Sequence, residues 1–391
     1  SDDQYRAGMH AAGPLPGPLE GLLVVDLSRV LAGPFATMLL ADLGARVVKV
    51  EKPGTGDDSR SYGPFVGDRS LYFARVNRGK QSISLDLTSP GDRTVLFGLV
   101  DRADVLVENF RPDVMDRLDL GYDALAERNP RLVYASISGF GQTGPWRLRP
   151  AYDTVVQGSS GLMSVTGAVE DGPVKPGLPV ADLSAGLYTF GAILAAVRGR
   201  ELTGRGTHVD VAMHDSLVSM LEGAAQSFLA TGAPPPRIGN AHYSIAPFDT
   251  YNCADRPVII CAANDTLFAG LCGALGRHDL VVDPRFRSNA DRHDHRAALK
   301  AEIEAVLVAD TGEHWLERFA AVGVPSGPVS DIAEALTSEQ IAARRMVVSA
   351  GGLPMPGTPV KLRDFPDPME RPAAPELDEH GPALRAEFGP A

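Results

Sequence analysis

The stretch GLLVVDLSRVLAGPFATMLLADLGARVVKVE, residues 21–51, decides the fold. It opens with an apolar, β-rich run, Leu22–Asp26, continues with a helical stretch, Pro34–Leu43, and ends in a second apolar run, Ala45–Glu51. This alternation predicts a βαβ unit with two parallel strands. Further strand-like runs, separated by segments of helical periodicity, continue the pattern at Ser82–Leu87, Val105–Glu108, Leu132–Ser138 and Thr207–Ala212. We therefore predict an α/β fold built on a doubly wound parallel sheet.

Length, composition and charge exclude several classes of protein. The chain has 391 residues, 44% hydrophobic and 22% charged, enough to bury one large core or two smaller ones. Its formal charge of −12 opposes contact with phosphate backbones and anionic lipid, so we expect no nucleic-acid partner and no membrane partner. The longest helix-like apolar run, Gly186–Val197, is shorter than the roughly 20 residues that cross a bilayer. Three cysteines without a CxxC pair favour a reducing compartment, and we expect a cytoplasmic location.

Breaks in the hydrophobic pattern divide the chain into four parts. Residues 1–20 are rich in glycine and proline and predict a flexible leader. Residues 21–225 predict the large domain, and the prolines at 234–236 mark its boundary with a small α/β domain, residues 226–330. Residues 331–391 carry a short helix and a proline-rich stretch, which predict a segment that wraps another body.

Several common chemistries lack their motifs. Gly33 is the only glycine between Asp26 and Phe35, so the fingerprint of a dinucleotide-binding loop is missing. The histidines and cysteines fit no zinc-ligand spacing, and we expect no metal. Gly158–Gly161 is one residue too short for the nucleophile motif of serine hydrolases, which favours an ordinary glycine-rich loop.

Asp182 lies at the start of a long apolar helical segment, in the sequence Val180-Ala-Asp-Leu-Ser-Ala-Gly186. The simpler interpretation is a helix N-cap, because aspartate is one of the residues preferred there. The functional interpretation is a carboxylate nucleophile, because a helix N-terminus favours the ionised form. Position in the sequence alone leaves both interpretations open.

A set of motifs in the same order resembles the family III coenzyme A transferases, the family of formyl-CoA transferase and crotonobetainyl-CoA:carnitine CoA-transferase. The resemblance extends over roughly Gly21–Pro368 and rests on many segments: Val25–Pro34, Asp42–Ala45, Val50–Gly54, Asn77–Lys80, Asp104–Pro112, Gly139–Pro145, Val180–Gly186, Gly204–Gly206, Val209–Met213 and Gly323–Val329. It implies a Rossmann-like large domain, a small domain, a C-terminal segment that returns to the large domain, and an interlocked homodimer.

The resemblance also implies a mechanism and a set of site residues. Asp182 matches the carboxylate that attacks an acyl-CoA thioester, giving a mixed anhydride and then an aspartyl-CoA thioester. No permanent cofactor is implied; acyl-CoA and small carboxylic acids are the substrates. Gly239 and Asn240 are candidates for an oxyanion-stabilising loop, although the more glycine-rich form of that loop is absent. Carried over by position, the contacts with CoA fall on Val30, Leu31, Ala32, Lys52, Leu85, Asn109, Phe110, Arg117, Tyr152, Asp153 and Met213.

Two alternatives stay open at this point. The same family includes α-methylacyl-CoA racemases, whose catalytic aspartate lies at the position of Asp153. Their second base is a histidine shortly upstream, but the chain has no histidine between His10 and His208. A non-catalytic acyl-CoA-binding protein would require an unreactive Asp182. The acids exchanged cannot be read from these residues.

Overall fold

The structure is a computed structural model that describes residues 17–170 and 172–390. Within that part of the chain the main sheet has six strands, all paired in parallel, in the spatial order β5-β2-β1-β6-β7-β8. Counted within the sheet this is the order 3-2-1-4-5-6 of the Rossmann fold. The predicted parallel sheet is therefore confirmed. Its strands are β1 (Leu23–Asp26), β2 (Arg46–Glu51), β5 (Gln81–Ser84), β6 (Val105–Glu108), β7 (Val133–Ser138) and β8 (His208–Ala212); a short hairpin, β3 (Phe65–Val66) and β4 (Arg69–Ser70), lies between β2 and β5.

Helices cover both faces of this sheet, as parallel strands require. Alternate strand residues such as Val25 and Leu106 point to one face, and Val24 and Val105 point to the other. The helices between residues 32 and 231 are α1 (Ala32–Asp42), α2 (Leu71–Asn77), α3 (Pro90–Arg102), α4 (Val114–Arg117), α5 (Tyr122–Arg128), α6 (Asp153–Ser159), α7 (Leu162–Val165), α8 (Val180–Thr203), α9 (Met213–Met220) and α10 (Glu222–Thr231), with a 3-10 turn at Asp58–Ser61.

Helix α8 is the longest helix among the described residues, with 24 residues. It ends at Gly204, whose φ of 74° lies in the left-handed region that commonly ends a helix. By length and hydropathy alone this helix could span a membrane. It packs instead on α1, β7 and β8 and buries one face, which is the behaviour of a core helix. The expected absence of a membrane partner stays a prediction.

The chain divides into two compact units. The larger unit contains residues up to Leu162, Pro176–Gln226 and Glu339–Ala391, and the smaller contains Met163–Lys175 and Ser227–Ser338. The sequence predicts boundaries at residues 226 and 331, and the two units divide after Gln226 and after Ser338. The assignment of Met163–Lys175 to the smaller unit carries no signal in the sequence. Most of the predicted leader, residues 1–16, lies outside the described residues. Residues 17–20 belong to a turn in which Leu19 N–H donates to Leu43 O at 3.0 Å.

The smaller unit has its own core and an antiparallel sheet rather than a parallel one. The sheet order is β11-β10-β9, and the core joins Tyr251 and Val258 of the strands to Phe268, Leu271 and Phe319 of the helices. Its elements are β9 (Phe248–Asn252), β10 (Pro257–Cys261), α11 (Asp265–Leu275), α12 (Asp279–Val282), α13 (Asn289–Asp294), α14 (Arg296–Leu307), α15 (Gly312–Ala321), β11 (Ser326–Pro328) and α16 (Ile332–Thr337).

The C-terminal segment packs against the main sheet of the larger unit. It contains α17 (Glu339–Ala343), the strands β12 (Val347–Ala350), β13 (Leu353–Pro356) and β14 (Glu370–Arg371), and α18 (Gly381–Phe388). Leu384 and Phe388 of α18 join the core on the α3 side of the sheet. Arg46 at the start of β2 donates to both carboxylate oxygens of Glu387, at 2.8 and 2.7 Å.

We predict that Gly98→Ala, in α3, detaches α18. A Cβ at Gly98 would lie 2.0 Å from the carbonyl oxygen of Phe388, so backbone must move. The free energy of unfolding of the larger unit should fall by about 2 kcal/mol. Residues 381–388 should also lose protection in hydrogen exchange.

Gly91→Ala, in the same helix, is the matched control, because a Cβ there meets nothing within 4 Å. Its stability should stay within about 0.5 kcal/mol of wild type. Equal effects of the two substitutions would contradict the close packing of α18 on α3.

Candidate active site

A cleft of about 180 Å³ opens at the carboxyl ends of β1, β6 and β7. It lies where the strand order reverses, between β1 and β6, which is where open α/β sheets bind their ligands. Residues on the β1–α1 loop, the loop after β6, the start of α6, α8 and α9 all contribute to its lining. Eight of the residues proposed from sequence line it together: Val30, Leu31, Ala32, Asn109, Phe110, Tyr152, Asp182 and Met213.

Buried side chains hold the β1–α1 loop at the edge of this cleft. Asp26 accepts a hydrogen bond from Ser28 N–H at 2.9 Å. Asn109 accepts from Arg29 N–H and donates to Arg29 O, both at 2.8 Å. Val30 N–H donates to both carboxylate oxygens of Asp57, at 3.1 and 3.2 Å. The loop backbone is therefore bound residue by residue to side chains from β1, β6 and the turn after β2.

The carboxylates that hold the loop are paired with two buried lysines. Lys80 Nζ lies 2.9 Å from Asp26, and Lys49 Nζ lies 2.8 Å from Asp57. Lys49 also donates to Ser28 O at 2.7 Å. Burial opposes ionisation of Asp26, but Lys80 and Lys49 outweigh it and lower the pKa of Asp26 to about 2. Burial likewise opposes ionisation of Asp57, and Lys49 lowers its pKa below the ordinary value.

Asp182 is the third residue of α8, but it does not cap the helix. The residue at the N-cap position is Pro179, which makes no side-chain cap. Asp153, at the start of α6, does the capping: its Oδ1 accepts from Ala181 N–H at 2.8 Å and from Asp182 N–H at 3.3 Å. The simpler interpretation of Asp182 as a cap is therefore wrong. One turn later, Gly186 allows close packing, since a Cβ there would lie 2.8 Å from Ala32 O.

The electrostatic setting of Asp182 differs from the expectation based on its helix. A helix N-terminus favours an ionised carboxylate. Burial, together with the negative charge of Asp153, instead raises the pKa of Asp182 to about 7. Within residues 17–170 and 172–390, no hydrogen bond reaches its carboxylate oxygens. Asp182 is therefore a poorly solvated carboxylate that still ionises near neutral pH, which suits a nucleophile.

Other residues proposed from sequence lie outside the lining of the cleft. Lys52 is exposed after β2, and Leu85 is buried in the core after β5. Arg117 is exposed in α4 and acts electrostatically on Asp113. Asp153 is engaged in capping α8, and Gln157 donates to its second oxygen. The CoA contacts assigned to these four residues stay predictions.

Gly239 and Asn240 belong to the smaller unit. Both are exposed and line a separate cavity of about 750 Å³ in that unit. Gly239 N–H donates to Gly167 O at 3.1 Å, and Asn240 Nδ2 donates to Thr250 Oγ1 at 2.9 Å. Their role in stabilising an oxyanion stays a prediction.

Sequence reasoning missed the arginines of the cleft. Arg29, Arg111, Arg147 and Arg149 all line it. Arg29 pairs with Asp58 at 3.0 Å and Arg147 with Asp113 at 2.7 Å. Arg111 and Arg149 have no carboxylate partner in the described chain, and Arg149 lies over the Trp146 ring. Arg29 and Arg111 adjoin Val30 and Phe110 in the sequence, and that adjacency is the only signal that could have found them.

Tyr72 is another residue that the sequence did not suggest. Burial raises the pKa of its hydroxyl, Arg75 opposes this rise, and the negative charge of Asp182 adds to it, so the Tyr72 hydroxyl lies within electrostatic range of Asp182. No histidine occurs among the described residues that line the cleft. No group of three or more metal-ligating side chains is found in residues 17–170 and 172–390.

We predict that Asp182→Asn stabilises the protein more at pH 8 than at pH 5. A carboxyl whose pKa is higher in the folded than in the unfolded chain contributes stability below pH 3.8 that is lost as pH rises through 7. Asparagine carries no charge and avoids this loss. Allowing for partial exposure of Asp182, the additional gain at pH 8 should be about 1–3 kcal/mol.

Urea unfolding at both pH values measures this difference. Asp123→Asn, an exposed aspartate on α5, is the control and should show no such pH dependence. An equal stabilisation by Asp182→Asn at pH 5 and pH 8 would be inconsistent with a raised pKa.

Comparisons with known proteins match this chain over nearly its whole length. The family model of CoA-transferase family III matches residues 19–381. An acetyl-CoA:oxalate CoA-transferase from Acetobacter aceti is 52% identical over 373 residues, which cover 95% of this chain and 96% of that protein. A succinate–glutarate CoA-transferase from Agrobacterium fabrum is 39% identical, covering 95% and 96%. A crystal structure of a CAIB/BAIF family protein from Brucella suis is 40% identical, with a TM-score of 0.86 and coverage of 96% and 100%.

The order of strands, the cleft at the switch point and these matches agree. The chain belongs to CoA-transferase family III.

Proposed function

We propose that this CoA-transferase moves CoA from an acyl-CoA donor to a carboxylic acid acceptor through covalent intermediates on Asp182. The observation that carries the proposal is the Asp182 carboxylate itself. It is partly buried, receives no hydrogen bond from the described chain, has a pKa of about 7, and lies in a cleft lined by four arginines. A carboxylate with little solvation has little water to shed before it attacks a thioester.

The reaction needs no external oxidant and no net proton transfer. A carboxylate oxygen of Asp182 bonds to the thioester carbonyl carbon, and the C–S bond breaks, which leaves a mixed anhydride and CoA thiolate. The thiolate then attacks the Asp182 carbonyl carbon of the anhydride and expels the donor acid as a carboxylate. The product of this half-reaction is an aspartyl-CoA thioester.

The second half-reaction repeats these steps in reverse. The acceptor carboxylate attacks the aspartyl-CoA thioester and releases the thiolate, giving a new mixed anhydride. The thiolate attacks the acceptor carbonyl carbon, which forms the new acyl-CoA and frees the carboxylate of Asp182. Each tetrahedral intermediate carries an oxyanion, which hydrogen-bond donors stabilise.

The cleft supports a binding mode for CoA. Backbone groups of Val30, Leu31 and Ala32 meet the nucleotide, and Phe110 faces the adenine. Arg111 and Arg149, which have no carboxylate partner in the described residues, meet its phosphates, since guanidinium groups bind phosphate through paired hydrogen bonds. We also assign Lys52 and Arg117 to contacts with CoA, farther along the molecule.

We propose a small dicarboxylate as at least one of the two acids exchanged. The relative from Acetobacter aceti is named for acetyl-CoA and oxalate, and the relative from Agrobacterium fabrum is named for succinate and glutarate. A second carboxylate on the substrate needs a cation, and Arg29 and Arg147, which pair with Asp58 and Asp113, are the cleft arginines not assigned to the phosphates. Which dicarboxylate reacts fastest depends on the fit of a few side chains around the thioester.

We also propose that the protein is an interlocked homodimer in the cytoplasm. Apolar side chains on α8 and α9 of the larger unit are strongly exposed, among them Leu187 at 54%, Leu202 at 73% and Met220 at 51%. Exposed apolar side chains on neighbouring helices favour a protein partner, and a second copy of the chain provides one. The three cysteines are unpaired, which supports a reducing compartment.

We predict that Asp182→Asn lowers CoA transfer by roughly 10³-fold or more, because the amide is a poor nucleophile. Its affinity for CoA should stay within about threefold of wild type. After incubation with an acyl-CoA, hydroxylamine should convert the Asp182 side chain of the wild type to a hydroxamate that mass spectrometry detects. Asp123→Asn should transfer CoA at the wild-type rate.

An active wild-type enzyme in which Asp182 stays unmodified would refute the covalent mechanism. The same assay in D₂O, with a chiral 2-methylacyl-CoA, tests the racemase alternative. CoA exchange without deuterium at the α-carbon supports transfer, and deuterium uptake at a comparable rate supports racemisation.

We predict a mass of twice 41.4 kDa by light scattering at all accessible concentrations. Leu187→Glu should weaken the dimer, because a charge would replace an exposed apolar side chain of α8. Val282→Glu, at a position 68% exposed in the smaller unit, is the control. A stable and active wild-type monomer would rule out the interlocked arrangement.

A further inference from the structure

Val30 adopts a backbone conformation that its side chain disfavours. Its φ of 67° lies in the left-handed region, where β-branched residues are rarely found. Such a conformation persists only where the surrounding structure imposes it. The position is next to Leu31 and Ala32 at the start of α1, and all three residues line the cleft that contains Asp182.

Asp57 is the side chain that imposes this conformation. Both of its oxygens accept the Val30 N–H, at 3.1 and 3.2 Å, and its Oδ2 also pairs with Lys49 Nζ at 2.8 Å. Side chains of Asp57 and Lys49 are each only 1% exposed. Lys49 donates in addition to Ser28 O at 2.7 Å, so one lysine connects the loop and the carboxylate that holds it.

The side-chain hydrogen bonds that hold the β1–α1 loop end at Val30. The next two N–H groups along the chain, those of Leu31 and Ala32, donate to no other group in the described residues. They are the first free donors at the N-terminus of α1, which has 11 residues. If Val30 turned to an ordinary negative φ, the peptide groups that follow it would rotate away from their present directions.

We propose that Asp57, held by Lys49, is a positioning residue that keeps Val30 left-handed and thereby presents the Leu31 and Ala32 N–H groups to the nucleotide of CoA. This inference rests on the proposed function, because it assigns those donors to CoA. Asp57 touches no substrate; it acts through the backbone of Val30. The left-handed backbone of Val30, although strained, is what serves binding. Glycine at the same position could adopt this φ without strain.

A purely structural role for Asp57 would predict that glycine at position 30 does not restore CoA binding. Asp57 also caps the 3-10 turn after β2, accepting from Ser59 N–H at 2.9 Å. Loss of that cap and of the pair with Lys49 would destabilise the larger unit, and glycine at position 30 would not repair it. Rescue by glycine therefore separates positioning from support.

The test compares Asp57→Asn, Val30→Gly and the double variant, with CoA affinity measured by calorimetry and turnover measured at saturating acyl-CoA. Asp57→Asn should weaken CoA binding and raise the KM for acyl-CoA by at least about tenfold, with kcat within about threefold. The double variant should recover to within about threefold of Val30→Gly. Asp57→Asn affinity equal to wild type, or a double variant as weak as Asp57→Asn, would overturn the proposal.

Asp42→Asn is the matched control. Asp42 forms a buried pair with Arg78 at 2.6 Å, away from the loop, so its loss should lower stability without changing the affinity for CoA. A tenfold loss of affinity in Asp42→Asn would mean that any broken buried pair weakens binding, and that would count against the proposal.

A second pair of variants keeps Asp57 and Lys49 intact, in case Asp57→Asn does not fold. Val30→Pro removes the N–H that Asp57 accepts and restricts φ to about −65°. It should lose affinity for CoA at least about tenfold relative to Val30→Gly. Equal affinities of these two variants would overturn the proposal. Wild-type protein that does not bind CoA would instead refute the proposed function itself.

Discussion

Two buried lysines hold the β1–α1 loop of the larger unit in place. Lys49 on β2 pairs with Asp57 in the turn after β2, and Lys80, just before β5, pairs with Asp26 at the end of β1. Removing one partner would leave an uncompensated charge in the core, which costs about 3–5 kcal/mol. The remaining hydrogen bonds of these ions fix the β1–α1 loop, which includes Val30. The left-handed backbone of Val30 costs about 1–2 kcal/mol by itself. A hydrophobic cluster of the same volume could stabilise the sheet but could not direct a backbone.

The pKa of Asp182 results from opposing electrostatic effects at the start of α8. The start of α8 favours a negative charge on Asp182, whereas burial and the charge of Asp153 oppose it. The opposing effects are larger, so the pKa of Asp182 rises to about 7. Asp153 contributes twice, since it caps the helix through Ala181 N–H and repels the charge on Asp182. A carboxylate stabilised by a full set of hydrogen bonds would ionise more easily but would attack a thioester more slowly. The site therefore contains a poorly solvated carboxylate that ionises near neutral pH, which is the property that the proposed nucleophile needs.

The topology explains why distant parts of the sequence meet in one cleft. β1 and β6 are adjacent in the sheet but about 80 residues apart in the chain, and the loops that follow them diverge to opposite faces. Asn109 bridges the gap by bonding to both backbone groups of Arg29. Helix α8 then approaches α1 closely at Gly186, which brings Asp182 to the same opening. Helix α18 of the C-terminal segment packs on the other face of the sheet, against α3, and no residue of the segment lines this cleft in the described chain.

The sequence by itself determined the parallel sheet, the strand positions to within a few residues, and Asp182 as the residue to consider. These features depend on local periodicity, turn residues and motif order, all of which are written along the chain. Only the tertiary structure decided that Asp153 caps α8, that Asp57 holds Val30, and that Arg147 and Arg149 line the cleft. It also decided the sign of the pKa shift at Asp182. The physical reason is that burial, charge pairing and backbone strain arise between residues remote in sequence, and no pattern of neighbours along the chain encodes the distance between them.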